Sequence, residues 1–278
     1  MLRQRVITAV VLLALLLPAL FVATPWPFAV LTLVAITAAG WEWARLNGCT
    51  QALSLGFGLA LAGACAAAIW RGWHLDAPTL AWWLATLLWV LGGAGAIRVG
   101  PAAWPALPRA LRLVIGWVTL WTAWLALAHA KTLGINFILS VFCLVWMADI
   151  AAYFGGRRFG RRKLAPAISP GKSWEGVWSG MAGVLVMAVL WQLADARLAV
   201  DSASLYTRLH ESLGVVGMAL AVLFLAAMSV VGDLVESLVK RSAGAKDSSR
   251  LLPGHGGVLD RIDALLPTFP LALALATL

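Results

Sequence analysis

The chain is built from long apolar runs, and these decide what it can fold into. A helix that crosses a bilayer needs about 20 predominantly apolar residues. Such runs lie at roughly 5–23, 27–45, 53–70, 78–96, 112–129, 135–154, 175–194, 213–232 and 264–278 of the 278 residues. The last is short and contains Pro267 and Pro270. Hydrophobic residues make up 62% of the sequence and charged ones only 12%, against about 45–50% and about 25% in soluble globular chains. The 16 tryptophans suit the half-wet zone at a membrane surface. The fold class expected is all-α: a polytopic integral membrane protein of about nine transmembrane helices.

Arg3 and Arg5 precede the first run, as in a signal peptide. However, the run extends from Val6 to Ala23 with no small-residue cleavage site before the second one. It reads as a retained helix with a cytoplasmic N-terminus. Counting basic residues tests that orientation. Seventeen of the 21 Lys and Arg fall on the inner side: Arg3, Arg5, Arg45, Arg98, Arg109, Arg112, six from Arg157 to Lys172 and five from Lys240 to Arg261. The outer loops hold only Arg71, Lys131, Arg197 and Arg208. This is a strong positive-inside bias, and it accounts for the net charge of +9 without nucleic acid as a partner. Cys49, Cys65 and Cys143 form no C-x-x-C pair, so neither a disulfide framework nor a zinc site is indicated.

Residues 1–130 read as a scaffold of transmembrane helices, with Glu42 and Arg45 near the inner end of the second span. Residues 131–278 read as the catalytic region, with cytoplasmic loops 155–174 and 233–263. Asp149 lies inside an apolar helix, where an acid costs about 2.5–3.5 kcal/mol on insertion scales and marks function by default. If helical, it shares a face with Tyr153. Five basic residues follow between Arg157 and Lys163, interleaved with Gly155, Gly156 and Gly160. This composition suits phosphate groups and equally suits a loop facing anionic headgroups. Gly171-Lys172-Ser173 imitates the end of a P-loop, but Pro166 stands where that pattern needs glycine, and no strand is expected before it. Ser169, Lys172, Ser173 and Glu175 remain candidates for polyphosphate or a metal's surroundings.

The second polar segment begins on a helix leaving the eighth span. Ser229, Asp233, Glu236 and Lys240 share a stripe of it. A Gly- and Ser-rich loop follows with Lys246, Asp247 and Arg250, then His255-Gly256-Gly257, then Asp260-Arg261-x-Asp263. Asp233, Glu236, Asp260 and Asp263 thus bracket one basic, glycine-rich loop. Carboxylates in such a set suit Mg²⁺, which takes one or two of them plus substrate phosphates. A metal bridging phosphate oxygens neutralises charge as a P–O bond breaks. Salt bridges to neighbouring Lys and Arg would account for one or two of these acids. His255 suits a structural role as well as a general acid or phosphate donor.

From Ser237 to Asp263 the chain resembles the signature of the phosphatidate cytidylyltransferases, also called CDP-diacylglycerol synthases. Ser237, Lys240, Arg241, Lys246, Asp247, Ser249, Pro253, His255, Gly256, Gly257, Asp260, Arg261 and Asp263 fill every fixed place of that signature. Gly232-Asp233-Leu234, Asp149-x-x-Ala-Tyr and Ser169-Pro-x-Lys-Ser-Trp-Glu-Gly are similar to the same family. Gly171 and Ser173 depart from it, since many relatives carry a basic residue and Thr there.

The resemblance implies that phosphatidate and CTP give CDP-diacylglycerol and pyrophosphate in a bacterial inner membrane. It implies a metal site of Asp233 and Asp260, with Asp263 and Glu236 added, holding Mg²⁺ and with K⁺ as a second candidate ion. Asp233, Asp260, Lys240, Lys246 and His255 are then the expected catalytic residues. Asp149, Ser169, Lys172, Ser173, Glu175, Arg241 and Arg261 are the expected substrate contacts. Membrane lipids and a second copy of the chain complete the expected partners. Two other readings are a cytidylyltransferase for another lipid phosphate, such as an isoprenoid one, and a secondary transporter. A transporter would have an inverted repeat and acids at mid-membrane; the sequence has no visible repeat, and its acids gather toward one face.

Overall fold

The computed structural model describes residues 2–278, without the side chains of Leu2, Arg3, Arg5 and Ala9. Met1, and the side chains of Arg3 and Arg5 that entered the charge count, lie outside the described residues. Proline and hydroxyl residues set the helix starts. Helix α1 spans Leu2–Phe21, and α2 spans Trp26–Leu46 with proline in its first turn. Helix α3, Gln51–Trp70, is capped by the Thr50 hydroxyl, which accepts from the Leu53 N–H. Pro78 precedes α4 (Thr79–Leu87), which continues through a π-helical turn at Leu88–Gly93 into α5 (Ala94–Val99). Pro108 precedes α6 (Arg109–Leu133), and α7 follows at Ile135–Phe159.

Seven helices among the described residues are long and apolar enough to cross a membrane. Large apolar side chains face outward on them, including Leu59, Leu91 and Val216. Water would not tolerate so many exposed apolar groups, and lipid does. The protein is an all-α polytopic membrane protein.

The two polar segments differ from simple loops. Helix α7 carries residues 155–159, and a two-stranded antiparallel hairpin follows. Its strands are β1 (Lys163–Ala165) and β2 (Ser169–Ser173), with Lys163 opposite Ser173. A strand, β1, therefore does precede the P-loop-like stretch, contrary to expectation, and Pro166 remains the reason this is not a P-loop. Ser173 then caps α8 (Trp174–Asp195), its hydroxyl accepting from the Gly176 N–H. Helix α9, Leu205–Ser242, breaks at Gly214, where φ is 69°. It then runs on through Asp233, Glu236 and Lys240, so the first part of the expected 233–263 loop is helix.

A four-residue helix α10 (Leu259–Ile262) leads to α11 (Leu265–Leu275). At 1.5 Å per residue α11 is about 16 Å long, against a hydrocarbon core of about 30 Å. Residues Leu265 to Ala274 are all buried, and α11 packs against α9, α6 and α4. The run 264–278 is thus a short plug inside the bundle rather than a spanning helix. Prolines at 267 and 270 are tolerated because neighbouring helices surround it.

Helices α7 and α8 pack closely, which fixes the hairpin between them. Ala148, Ala152 and Gly156 on α7 recur every four residues, as do Gly176 and Gly180 on α8. This is the small-residue spacing that lets membrane helices approach. A Cβ on Gly180 would stand 2.8 Å from the Ala148 carbonyl oxygen, and one on Gly176 2.9 Å from that of Ala152. Gly63 on α3 has open space instead. Gly180→Leu should cost about 1–3 kcal/mol through overpacking, read as a lower melting temperature in detergent. Gly63→Leu should leave the melting temperature within error.

Candidate active site

Helices α7, α9 and α10 and strand β2 bring their polar side chains to one end of the bundle. On α9, Lys240 lies between two acids. Its Nζ is 2.5 Å from Glu236 Oε2 on the same helix and 2.6 Å from Asp260 Oδ1 on α10. A second lysine repeats the device: Lys172 Nζ of β2 is 2.6 Å from Asp233 Oδ2 of α9. The Ser237 hydroxyl donates to the other oxygen of Asp233, at 3.2 Å. Asp149 on α7 sits within electrostatic reach of Lys172, Asp233 and Arg261. Lys172, Asp149, Ser169, Ser173, Tyr153 and Asp233 line a cavity of about 460 Å³ whose remaining wall includes Val177 and Val230.

Asp260 is the most heavily bonded of the acids. Besides Lys240 it accepts, on Oδ2, from the Ser248 N–H and hydroxyl (both 2.8 Å) and from the Gly257 N–H (2.7 Å). Burial opposes its ionisation, but Lys240 and the Gly257 and Ser248 N–H groups outweigh it and hold its carboxyl at about 2. Asp263 stands in the reverse situation. Burial and then the Asp233 carboxylate push its carboxyl above the usual range, although it accepts from the Ala264 N–H. Gly232 makes this approach feasible, because any Cβ there would strike the Asp263 carbonyl and Pro267.

Several expected substrate contacts are engaged within the protein. Glu175 accepts from the backbone N–H groups of Arg161 (3.0 Å) and Arg162 (3.2 Å), closing the base of the hairpin. Arg241 donates to the carbonyls of Ile168 (3.3 Å) and Ala245 (3.2 Å), tying the hairpin tip to the end of α9. Ser173 serves as the α8 cap. Lys246, His255 and Arg261 border a separate recess of about 910 Å³, with Arg250 and Asp247, and Arg261 also lies within electrostatic reach of Asp149. Among the described residues His255 Nδ1 has no hydrogen-bond partner.

Sequence reasoning passed over Glu42. It comes from α2, is fully buried, and accepts four hydrogen bonds from the 248–259 loop. A lone acid in an apolar span was the available signal, the same one that singled out Asp149.

The acids suit a hard cation by type. Glu236 Oε1 is buried with no hydrogen-bond partner, and Lys240 alone meets its Oε2. Among the described residues no three ligand-type side chains already converge on one point. The fit is therefore to an ion that takes one or two carboxylates and fills its shell from phosphates and water, which is how Mg²⁺ binds. Asp263 lies at the Gly232 contact and accepts from the Ala264 N–H, while Asp233 beside it is met by Lys172 and Ser237, groups that a cation and a substrate phosphate could displace.

Residues 3–278 match the model of the cytidylyltransferase family. The chain belongs to that family. Among its relatives is the phosphatidate cytidylyltransferase of Pseudomonas aeruginosa, 40% identical over 99% of this chain and 97% of that one. The enzyme of the same name from Haemophilus influenzae is 38% identical over 97% and 96%. That of Brucella melitensis is 46% identical over 48% of this chain and 44% of its own.

For this cytidylyltransferase the lysine bridges carry a stability cost when broken. Lys240→Met leaves Glu236 and Asp260 facing each other with side chains only 2% and 5% exposed. Removing one partner of a buried pair costs about 3–5 kcal/mol, so thermal unfolding in detergent should fall well below wild type. Adding Glu236→Gln to Lys240→Met should recover part of the loss.

Proposed function

We propose that the protein transfers the cytidylyl group of CTP to phosphatidate, giving CDP-diacylglycerol and pyrophosphate. The observation that carries this reading is a pair of spaces, one lined by Asp149, Asp233 and Lys172 and the other by the basic loop that leads to Asp260. One space holds Lys172, Ser169 and Asp149 together with apolar walls, and suits a lipid phosphate entering from the membrane. The other holds Lys246, Arg250, Arg261 and His255, and suits a water-borne triphosphate. The near full-length relatives named for this activity point the same way. We place the site at the cytoplasmic face of a bacterial inner membrane, on the strength of the basic residues around it.

In this mechanism Lys172 holds the lipid phosphate and draws its charge away from Asp233. An oxygen of that phosphate attacks the α-phosphorus of CTP. A new P–O bond forms as the bond from the α-phosphorus to the bridging oxygen breaks, and pyrophosphate leaves with its electrons. Lys246, Arg250 and Arg261 neutralise the departing charge. Mg²⁺, held by Asp233 and Asp263 with Asp260 beside them, would supply electrostatic stabilisation of the phosphate oxygens. Lys240 holds Asp260 and Glu236 in place through its two close contacts. No protein nucleophile is required, so no covalent enzyme intermediate forms.

The test is product formation by the purified protein in detergent with CTP, Mg²⁺ and phosphatidate, beside an isoprenoid phosphate. CDP-diacylglycerol should form and should vanish on chelation. No product at saturating substrates refutes the reading, and faster turnover of the isoprenoid phosphate would replace the substrate. Asp233→Asn and Asp260→Asn should each lower turnover by about 10²–10³-fold, the scale of losing a group that stabilises transition-state charge. Near-normal turnover in either would refute its role.

A further inference from the structure

The loop that carries Asp260 is not held by the catalytic helices alone. Glu42 reaches it from α2, more than 200 positions away in sequence. Its Oε1 accepts from the Ser249 hydroxyl (2.5 Å) and the Val258 N–H (3.0 Å). Its Oε2 accepts from the Leu259 N–H (2.7 Å) and the Ser248 hydroxyl (3.2 Å). The carboxylate therefore gathers both ends of the loop, residues 248–249 and 258–259, onto one point. Gly257 is required there, because a Cβ at that position would strike both the Glu42 carboxylate and the Ser248 hydroxyl.

Ser248 connects this point to the site. Its hydroxyl lies 3.2 Å from Glu42 and 2.8 Å from Asp260 Oδ2, and its N–H also donates to Asp260. Leu259, whose N–H is held by Glu42, immediately precedes Asp260. Arg45, one turn along α2, donates to the Ser248 carbonyl at 2.7 Å. Helix α2 is itself anchored: the Trp43 indole N–H donates to the Arg112 carbonyl of α6 at 2.9 Å, and Gly116 makes room for the ring. A charged group buried in a membrane helix without a function would be lost for its cost. This one is matched to four donors on a single loop.

We propose that Glu42 is a positioning residue of the transferase, setting Asp260 against Lys240 through the 248–259 loop. The proposal rests on the reading of the site as a cytidylyltransferase centre. It assigns α2 a part in catalysis rather than scaffolding alone. Outer groups that orient a charged site typically cost about 10–100-fold when removed.

Three measurements on the full-length protein test it. Glu42→Gln, which keeps the shape and loses one acceptor oxygen, should lower kcat by about 10–100-fold with KM for CTP and lipid nearly unchanged. In the Asp260→Asn background the same change should cost almost nothing more, because Glu42 acts through Asp260. Hydrogen exchange at Val258 and Leu259 should quicken in Glu42→Gln while the α7–α8 pair keeps its protection.

Turnover within threefold of wild type, or losses that simply multiply in the double variant, would overturn the proposal. So would faster exchange spread evenly over all helices, which marks a general structural role. Failure of the wild-type protein to make product falls on the transferase reading; unchanged exchange at Val258 and Leu259 falls on Glu42.

Discussion

Burying a carboxylate beside a bilayer is unfavourable unless a cation or several donors reach it. This protein meets that constraint repeatedly at one end of its helix bundle, and the rest of the architecture follows. Lys240 holds Glu236 and Asp260, Lys172 holds Asp233, and a ring of N–H and hydroxyl donors holds Glu42. Each arrangement needs side chains from different elements. The elements must therefore approach closely, and they do so where side chains are absent. Gly176 and Gly180 let α8 lie on α7, Gly232 lets α9 touch the Asp263 turn, and Gly257 lets the loop close on Glu42.

This economy of charge explains why the acids do not merely repel one another. Asp260 is held low because its donors outweigh its burial, and Asp263 is pushed the other way by burial and then by the Asp233 carboxylate. The centre thus pairs one carboxyl held low with one pushed high. In the proposed reaction a divalent ion would add positive charge at these acids, and Lys246, Arg250 and Arg261 would meet the phosphates. The plug formed by α11 completes the enclosure from within the bundle.

Much of this was legible in the chain. Apolar run lengths predicted most of the helices, because a bilayer imposes one length on every span. The stripe Ser229, Asp233, Glu236, Lys240 was visible because α9 continues past the membrane as one helix. The run 264–278 misled because composition cannot distinguish a lipid-facing span from a short helix wrapped by protein. The hairpin at 163–173 escaped because its strands are three and five residues long and mostly polar. Glu42 escaped for a different reason. Its partners are two serines and two backbone N–H groups over 200 residues away, and no local pattern announces backbone donors.

In the proposed reaction both substrates meet at one centre and the lipid phosphate attacks CTP directly. The stereochemical course of the reaction tests this most directly. With CTP made chiral at the α-phosphorus by sulfur substitution, a single in-line displacement predicts CDP-diacylglycerol of inverted configuration. Retention would mean two successive displacements through an enzyme-bound cytidylyl group, and would contradict the account.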